Sequence, residues 1–136
     1  MVFMDISRKY EISEIMRSCL GESCCMEHFD EMQEIGTNIR SNKEFINLLE
    51  FLSALGNKDR LLIVKILKER GEQCVCELEL LLDKSQPSIS HHLRNLERVG
   101  LIRGWKKGKF TYYELEKEQY EKYLELFNGE FDSFSP

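Results

Sequence analysis

The sequence predicts a mainly α-helical fold with one small β-hairpin (class α+β), and three observations lead to this prediction. Apolar residues recur every three or four positions along most of the chain, as on helices that bury one face. The period falls to about two only between Leu101 and Leu115, as in strands. The length of 136 residues, 42% of them hydrophobic, suits one domain with residues left over for an arm or an interface.

Residues 1–41 are predicted to form an N-terminal arm with one short helix. Five apolar residues lie on one helical stripe: Ile12, Ile15, Met16, Cys19 and Leu20. Gly21 is expected to end this helix. Residues 22–41 are polar with no clear period, which indicates a linker or a loosely held segment.

A domain of residues 42–128 follows, and its first three helices are predicted from apolar stripes. The first runs from Asn42 to Gly56, the second is capped by Asn57 or Asp59 and stops at Gly71, and the third is short. The expected inward residues are Phe45, Leu48, Leu49, Leu52 and Leu55, then Leu62, Ile63, Ile66 and Leu67, then Val75, Leu78, Leu81 and Leu82.

The fourth helix is predicted from Ser85, an N-cap residue, to Val99, with Pro87 in the first turn, where its missing N–H costs nothing. Ile89, Leu93 and Leu96 face inward at spacings of four and three. A short helix, a tight turn and a second helix with small polar residues at its start together predict a helix-turn-helix.

Two strands, Leu101 to Trp105 and Lys109 to Leu115, are predicted to form a hairpin with a basic turn. A last helix carries Tyr120, Tyr123, Leu124 and Phe127 on one face. No later element can cover that face, so a helical dimer interface is expected there. Residues 129–136 are predicted to be a tail.

Charge is strongly segregated along the chain. The net charge is −5, yet residues 84–110 sum to +6 and the remainder to −11. A basic surface that combines a helix-turn-helix with a basic hairpin predicts a winged helix-turn-helix bound to double-stranded DNA. The expected contacts are small polar and basic residues, with base readout by the helix and phosphate contacts by the wing: Ser85, Gln86, Ser88, Ser90, His91, Arg94, Arg103, Lys106, Lys107 and Lys109.

The run from Leu55 to Leu115 resembles the ArsR/SmtB family of metal-responsive repressors. The similarity lies in Leu55-Gly56-Asn57, in the recognition-helix run from Ser85 to Leu93, in Gly100-Leu101-Ile102 and in Tyr112-Tyr113-Glu114-Leu115. The resemblance implies a homodimer that binds a palindromic operator and leaves it when an inducer binds.

The segment from Glu72 to Leu78 resembles the metal-binding segment of that family, with both cysteines, Cys74 and Cys76, in place. On a regular helix they diverge by about 200°, so they share an ion only if Cys74 precedes the first full turn. The arsenic-sensing branch has a third cysteine where this chain has Glu79. The cadmium- and lead-sensing branch takes further thiolates from an N-terminal arm.

The resulting hypothesis is a thiolate site between protomers, made by Cys74 and Cys76 with Cys24 or Cys25, and with Cys19 or His28 as poorer ligands. Cadmium, lead, zinc or arsenic is the expected inducer, and no cofactor is expected to be needed for folding. Two alternatives stay open for the cysteine pair: a thiol/disulfide redox switch, or a packing feature with no ligand.

Two other function classes have less support in the sequence. A winged-helix protein-interaction module without DNA binding would use the acidic body as its working surface. An enzyme is not expected, since there is no glycine-rich phosphate loop and no nucleophile with a base at recognisable spacing. With neither a secretory signal nor a membrane-spanning run, the chain is expected to be cytoplasmic.

Overall fold

The computed structural model describes residues 4–20 and 22–134, without the side chains of residues 19, 20 and 22–26. The described residues form seven helices and three strands, in two units that meet between Phe45 and Ile46. No described helix is long and apolar enough to cross a membrane.

The first unit contains two helices, α1 (Ile6–Leu20) and α2 (Glu22–Ser41), which pack on each other. The prediction of a linker over residues 22–41 is therefore wrong. Apolar side chains at Phe29, Met32, Ile35 and Ile39 recur at helical spacing and support the second helix, but the many charges between them obscure the period.

The second unit is the winged helix-turn-helix that the sequence predicts. Its elements in chain order are α3 (Lys43–Leu55), α4 (Lys58–Arg70), β1 (Gln73–Cys74), α5 (Val75–Leu82), α6 (Gln86–Arg98), β2 (Ile102–Lys107), β3 (Phe110–Leu115) and α7 (Lys117–Phe131). The first three residues of α3 fall in the other unit.

The core of the second unit differs in part from the predicted stripes. Helix α6 buries Ile89, Leu93 and Leu96 as expected. The buried residues of α3 are Leu48, Phe51 and Ala54, and those of α4 are Ile63, Val64 and Leu67. Leu49, Leu62 and Leu81 are expected to face inward but are 48%, 40% and 46% exposed, because each helix carries more apolar residues than the face packed on the core can bury.

The three strands form an antiparallel sheet in the order β1-β3-β2. The predicted hairpin is confirmed, and the two-residue strand β1 adds a third strand to it. Gln73 pairs with Tyr113 and Cys74 with Tyr112. This pairing connects the segment before α5 directly to the second strand of the wing.

Helix α7 packs on its own chain, contrary to the expectation that no element covers it. Tyr123 is buried, stacks on Phe51 with ring centroids 4.4 Å apart, and donates a hydrogen bond from its hydroxyl to the Val99 carbonyl at 3.0 Å. Leu124 and Phe127 stay 39% and 38% exposed. The helix extends to Phe131, three residues into the predicted tail.

Candidate nucleic-acid interface and thiol pair

The start of α6 is fixed by its own sequence. Ser85 is the N-cap with extended backbone, and its Oγ accepts a hydrogen bond from the Ser88 backbone N–H at 3.4 Å. The residue after α5, Asp83, has a φ of 53°, a left-handed conformation that ends the first helix and turns the chain toward the second. The two helices therefore form the predicted helix-turn-helix.

The buried stripe of α6 leaves its polar side chains on the outside. Gln86, His91 and Arg94 are exposed, and Ser88 and Ser90 are half-buried. The side-chain amide nitrogen of Asn95 lies 3.3 Å from His91 Nε2. The predicted helix residues thus share an accessible face with donors and acceptors that base edges can pair with.

His92, adjacent to this face, is buried instead. Its Nε2 lies 3.6 Å from Asp59 Oδ2 at the start of α4, while its buried Nδ1 has no hydrogen-bond partner among the described residues. Burial lowers the pKa of His92, and this outweighs the opposing effect of Asp59. A neutral His92 therefore joins the recognition helix to α4.

The wing presents three lysines, Lys106, Lys107 and Lys109, all exposed around the turn at Gly108. Gly108 has a φ of 64°, in the left-handed region that glycine adopts without strain. Arg103 differs from the lysines because it forms ion pairs with Glu114 and, at 3.2 Å, with Glu116. The charge of Arg103 is already offset, whereas none of the three lysines forms an ion pair with a described residue.

The thiol pair, Cys74 and Cys76, brings two sulfurs together at the start of α5. Cys74 is the extended N-cap of α5 and precedes its first turn, and its Sγ lies 2.6 Å from that of Cys76. Cys74 is buried and Cys76 is exposed. One thiol is thus held inside the fold while its neighbour faces solvent.

Glu77 completes a capping box with Cys74. The Cys74 Sγ accepts from the Glu77 N–H at 3.4 Å, and the Glu77 carboxylate accepts from the Cys74 N–H at 3.2 Å. Burial raises the pKa of Cys74 to about 11, with contributions from Cys76 and Glu77. Cys74 is therefore a protonated thiol at neutral pH, and binding of a thiophilic ion would displace its proton.

The other predicted ligands lie outside the described side chains or in the first unit. The side chains of Cys19, Cys24 and Cys25 lie outside the described residues, and His28 is on α2 in the first unit. Within the described part of the chain, no three His, Cys, Asp or Glu side chains come together as a metal site. Two sulfurs alone do not complete a metal site, which would need at least one further ligand.

Sequence reasoning missed Tyr112, Glu77 and the link between His92 and Asp59. The spacing of Cys74 and Glu77 is that of a capping box and could have been found from the sequence. It is less obvious here because the cap residue of this motif is usually Ser or Thr. Tyr112 could not be found from local patterns, because its role depends on the pairing of β1 with β3.

Comparison with known proteins identifies the region that carries these features. The sequence profile of the family described as "Bacterial regulatory protein, arsR family" matches residues 57–103. An HTH-type transcriptional regulator of Methanocaldococcus jannaschii is 36% identical over 77 residues, which cover 57% of this chain and 86% of that protein.

Two further relatives carry names that mention metals or metalloids. The arsenical resistance operon repressor of Escherichia coli is 44% identical over 71 residues, covering 52% of this chain and 61% of that protein. The cadmium resistance transcriptional regulatory protein CadC of Listeria innocua is 29% identical over 111 residues, covering 82% of this chain and 92% of that protein. This last alignment is too long to be confined to the second unit, which has 91 residues.

Among solved structures, HlyU from Vibrio cholerae is similar to this fold, with a TM-score of 0.56 and 29% identity. The match covers 68% of this chain and 99% of that one. The winged helix-turn-helix is therefore shared with a structure determined by experiment.

Proposed function

Because the chain belongs to the arsR family of bacterial regulatory proteins, we propose that it is a homodimeric repressor released from operator DNA by a thiophilic metal ion or metalloid. It is a DNA-binding transcriptional regulator rather than an enzyme. The observation that carries the proposal is the polar outer face of α6 beside a wing with three exposed lysines.

In the proposed complex α6 enters the major groove. Gln86, His91 and Arg94 contact base edges, and the serines at positions 85, 88 and 90 contact bases or phosphates. Lys106, Lys107 and Lys109 contact the backbone, where they add affinity and salt dependence rather than sequence discrimination. Arg103, held by two glutamates, would contribute only if DNA competes for it.

The dimer is proposed to form through α7, because Leu124 and Phe127 leave an apolar surface after Tyr123 has packed on α3. A two-fold dimer places two α6 helices on successive major grooves, about 34 Å apart. Sedimentation of the Leu124→Asp, Phe127→Asp variant tests this surface: a monomer that keeps the wild-type circular dichroism spectrum is expected. A variant that stays dimeric would place the interface elsewhere.

The signal is proposed to act at the thiol pair, with Cys24 or Cys25 of the partner subunit supplying a further thiolate. The support is the position of both thiols at the start of α5, where the two sulfurs contact each other, and the names of the relatives, which refer to arsenical and cadmium resistance. Cadmium, lead, zinc and arsenite all bind thiolates, so the chemistry of the pair admits each of them.

The test is a titration of the reduced, full-length protein with Cd(II), Pb(II), Zn(II) and arsenite. Thiolate charge-transfer absorbance measures binding, and fluorescence anisotropy measures release of a duplex selected in vitro by the reduced protein. Cys74→Ser and Cys76→Ser are expected to abolish both signals, and Cys24→Ser or Cys25→Ser to weaken them. Cys19→Ser tests the poorer ligand and is expected to change the signals less than Cys24→Ser or Cys25→Ser does. Unchanged signals in both Cys74→Ser and Cys76→Ser would overturn the metal proposal.

A redox switch is the second candidate, and the same short sulfur-to-sulfur distance favours it. Oxidation of two thiols to a disulfide would release two protons and two electrons to an oxidant such as diamide. Duplex release by diamide without metal, reversed by dithiothreitol, supports this version. If metal ions release the duplex and diamide does not, the redox switch is excluded.

A further inference from the structure

Three side chains lie side by side across the sheet. Cys74 of β1 pairs with Tyr112 of β3, and Tyr112 pairs in turn with Trp105 of β2. Directly opposed residues on antiparallel strands point to the same face of a sheet. Cys74, Tyr112 and Trp105 therefore form one row, the thiol row, from the thiol pair to the wing.

Tyr112 is the middle of this row and contacts the wing on its far side. Its ring centroid lies 6.3 Å from that of Trp105, with the planes 21° apart, and Lys107 Nζ lies 5.8 Å from the Tyr112 ring. Burial raises the pKa of Tyr112, and the nearby Cys74 and Glu77 raise it further. The Tyr112 side chain thus lies near enough to Cys74 for that thiol to affect its pKa, and its ring also contacts a wing lysine, Lys107.

The other face of β3 contacts the recognition helix. Tyr113 pairs with Gly104, and a Cβ at Gly104 would lie 2.6 Å from Tyr113 Cε1, so the tyrosine ring fills the space that a side chain would need. Burial and the charge of Glu97, on α6, raise the pKa of Tyr113. A displacement of β3 would therefore reach both DNA-contacting elements.

Binding of one ion by the thiol pair is expected to rearrange Cys74. The two sulfurs contact each other, and the Cys74 Sγ also accepts the cap hydrogen bond from the Glu77 N–H. An ion bound between the two sulfurs would take the place of both interactions. Cys74 is in a strand of only two residues, where a shift breaks few hydrogen bonds.

We propose that Tyr112 couples the thiol pair to the wing, as a positioning residue that moves Trp105 and Lys107 when a ligand binds the two sulfurs. This inference rests on the proposed function of the pair as the sensor. Tyr112 itself does not bind the ligand. Its ring transmits the displacement of β1 to the hairpin, and the lysines at the hairpin turn then no longer align with the DNA phosphates.

The test uses the full-length protein in a Cys19→Ser, Cys24→Ser, Cys25→Ser background, so that only the pair can react. Phenylarsine oxide is the probe, because its arsenic binds two thiolates while its oxygen leaves as water. Mass spectrometry counts the adduct, emission reports on Trp105, the single tryptophan, and anisotropy measures affinity for the selected duplex. Adduct formation is expected to shift the emission and to weaken duplex binding at least about fivefold.

Substitutions at position 112 separate coupling from binding. Tyr112→Leu is expected to form the adduct, but adduct formation should then leave the Trp105 emission unshifted and change duplex affinity by less than about twofold. Tyr112→Phe keeps the ring and is expected to keep both responses. Phe110→Leu, on the same face of β3 but paired with Lys107 instead of Trp105, is the matched control and should respond like the parent.

A full response in Tyr112→Leu would overturn the coupling and leave the sensor proposal intact. If Tyr112→Leu does not fold, the indole N–H resonance of Trp105 in the parent protein provides the test. The coupling predicts that this resonance shifts on adduct formation, and an unchanged resonance would overturn the coupling. The sensor proposal fails separately, if the protein with all five cysteines shows no duplex release by metal, arsenite or oxidant.

Discussion

Helix α6 and the thiol row depend on very different lengths of chain. The cap, the buried stripe and the exposed polar face of α6 all lie between Ser85 and Arg98. The thiol row joins residues 38 positions apart, Cys74 and Tyr112, through a strand of two residues. The DNA-reading face is therefore set locally and held by the core, whereas the thiol pair is positioned by a few long-range contacts.

This difference suits the two proposed tasks. A surface that reads DNA must keep its side chains in one geometry, and burial of Ile89, Leu93 and Leu96 provides that. A sensor must change geometry at little free-energy cost, and a short edge strand is among the least stable parts of a domain. Four predictions test the contrast, from the largest expected effect to the smallest.

The first prediction concerns the packing of α6 on the core. Leu93 is 1% exposed, so Leu93→Ala is expected to lower the free energy of unfolding by about 2–5 kcal/mol, through lost burial and a residual cavity. Urea unfolding followed by circular dichroism measures it. Leu80→Ala is the matched control: Leu80 is 84% exposed and its loss should cost less than about 0.5 kcal/mol. Equal effects at both positions would contradict the assignment of the core.

The second prediction concerns the wing. Replacing Lys106, Lys107 and Lys109 with Ala removes six lysines from the proposed dimer, and it is expected to weaken duplex binding at least about 100-fold at physiological salt and to reduce the salt slope of log K by about 5. The measurement is anisotropy at several salt concentrations. Lys68, Lys117 and Lys122, exposed on α4 and α7, provide a control triple of equal charge. A similar loss in both triples would mean that net charge, not the wing, carries the affinity.

The third prediction concerns the sheet. Gly104→Ala places a Cβ against the Tyr113 ring and is expected to cost about 1–3 kcal/mol, with a shift of Trp105 emission. Gly129→Ala, on α7 with no atom near the added Cβ, is the control and should stabilise the fold by up to about 1 kcal/mol. An unchanged stability of Gly104→Ala would show that Tyr113 moves freely and that β3 is not tightly held between the two faces.

The same contrast explains what could be predicted from the sequence. Ser85, Pro87, Ile89, Leu93 and Leu96 carry a cap and a period within one segment, so α6 and its outer face followed directly from them. The hairpin followed from its alternation. Strand β1 did not, because two residues have no period and their pairing with Tyr112 and Tyr113 is a property of the whole fold.

Other errors have equally specific causes. Leu48 and Leu49 are equally apolar, so the pattern alone could not say which faces the core. Charged residues between Phe29 and Ile39 concealed the second helix of the arm. The third ligand of the thiol pair remains a prediction, because spacing along a chain does not determine which distant cysteine folds against it.

The last prediction concerns the link between α6 and α4. His92 is buried beside Asp59, with Lys84, Arg60 and His91 as the other nearby charged or titratable groups, and burial keeps its pKa below the ordinary value of 6.5. The folded state thus binds fewer protons at His92 than the unfolded state does. Stability is fully present above about pH 6.5 and falls as the pH drops below that value, through the range in which unfolded His92 is protonated.

His92→Gln removes this titration, so the decline in unfolding free energy between pH 7.5 and 5.5 should flatten, a window chosen above the ordinary range of carboxylates. Urea unfolding at each pH measures it. His91→Gln removes the exposed neighbour on the same turn and should leave the decline unchanged. His92 links α6 to Asp59 on α4. If the decline in unfolding free energy persists in His92→Gln, the loss of stability at low pH does not come from this link. That result would show that the packing of α6 on the core does not depend on the protonation of His92.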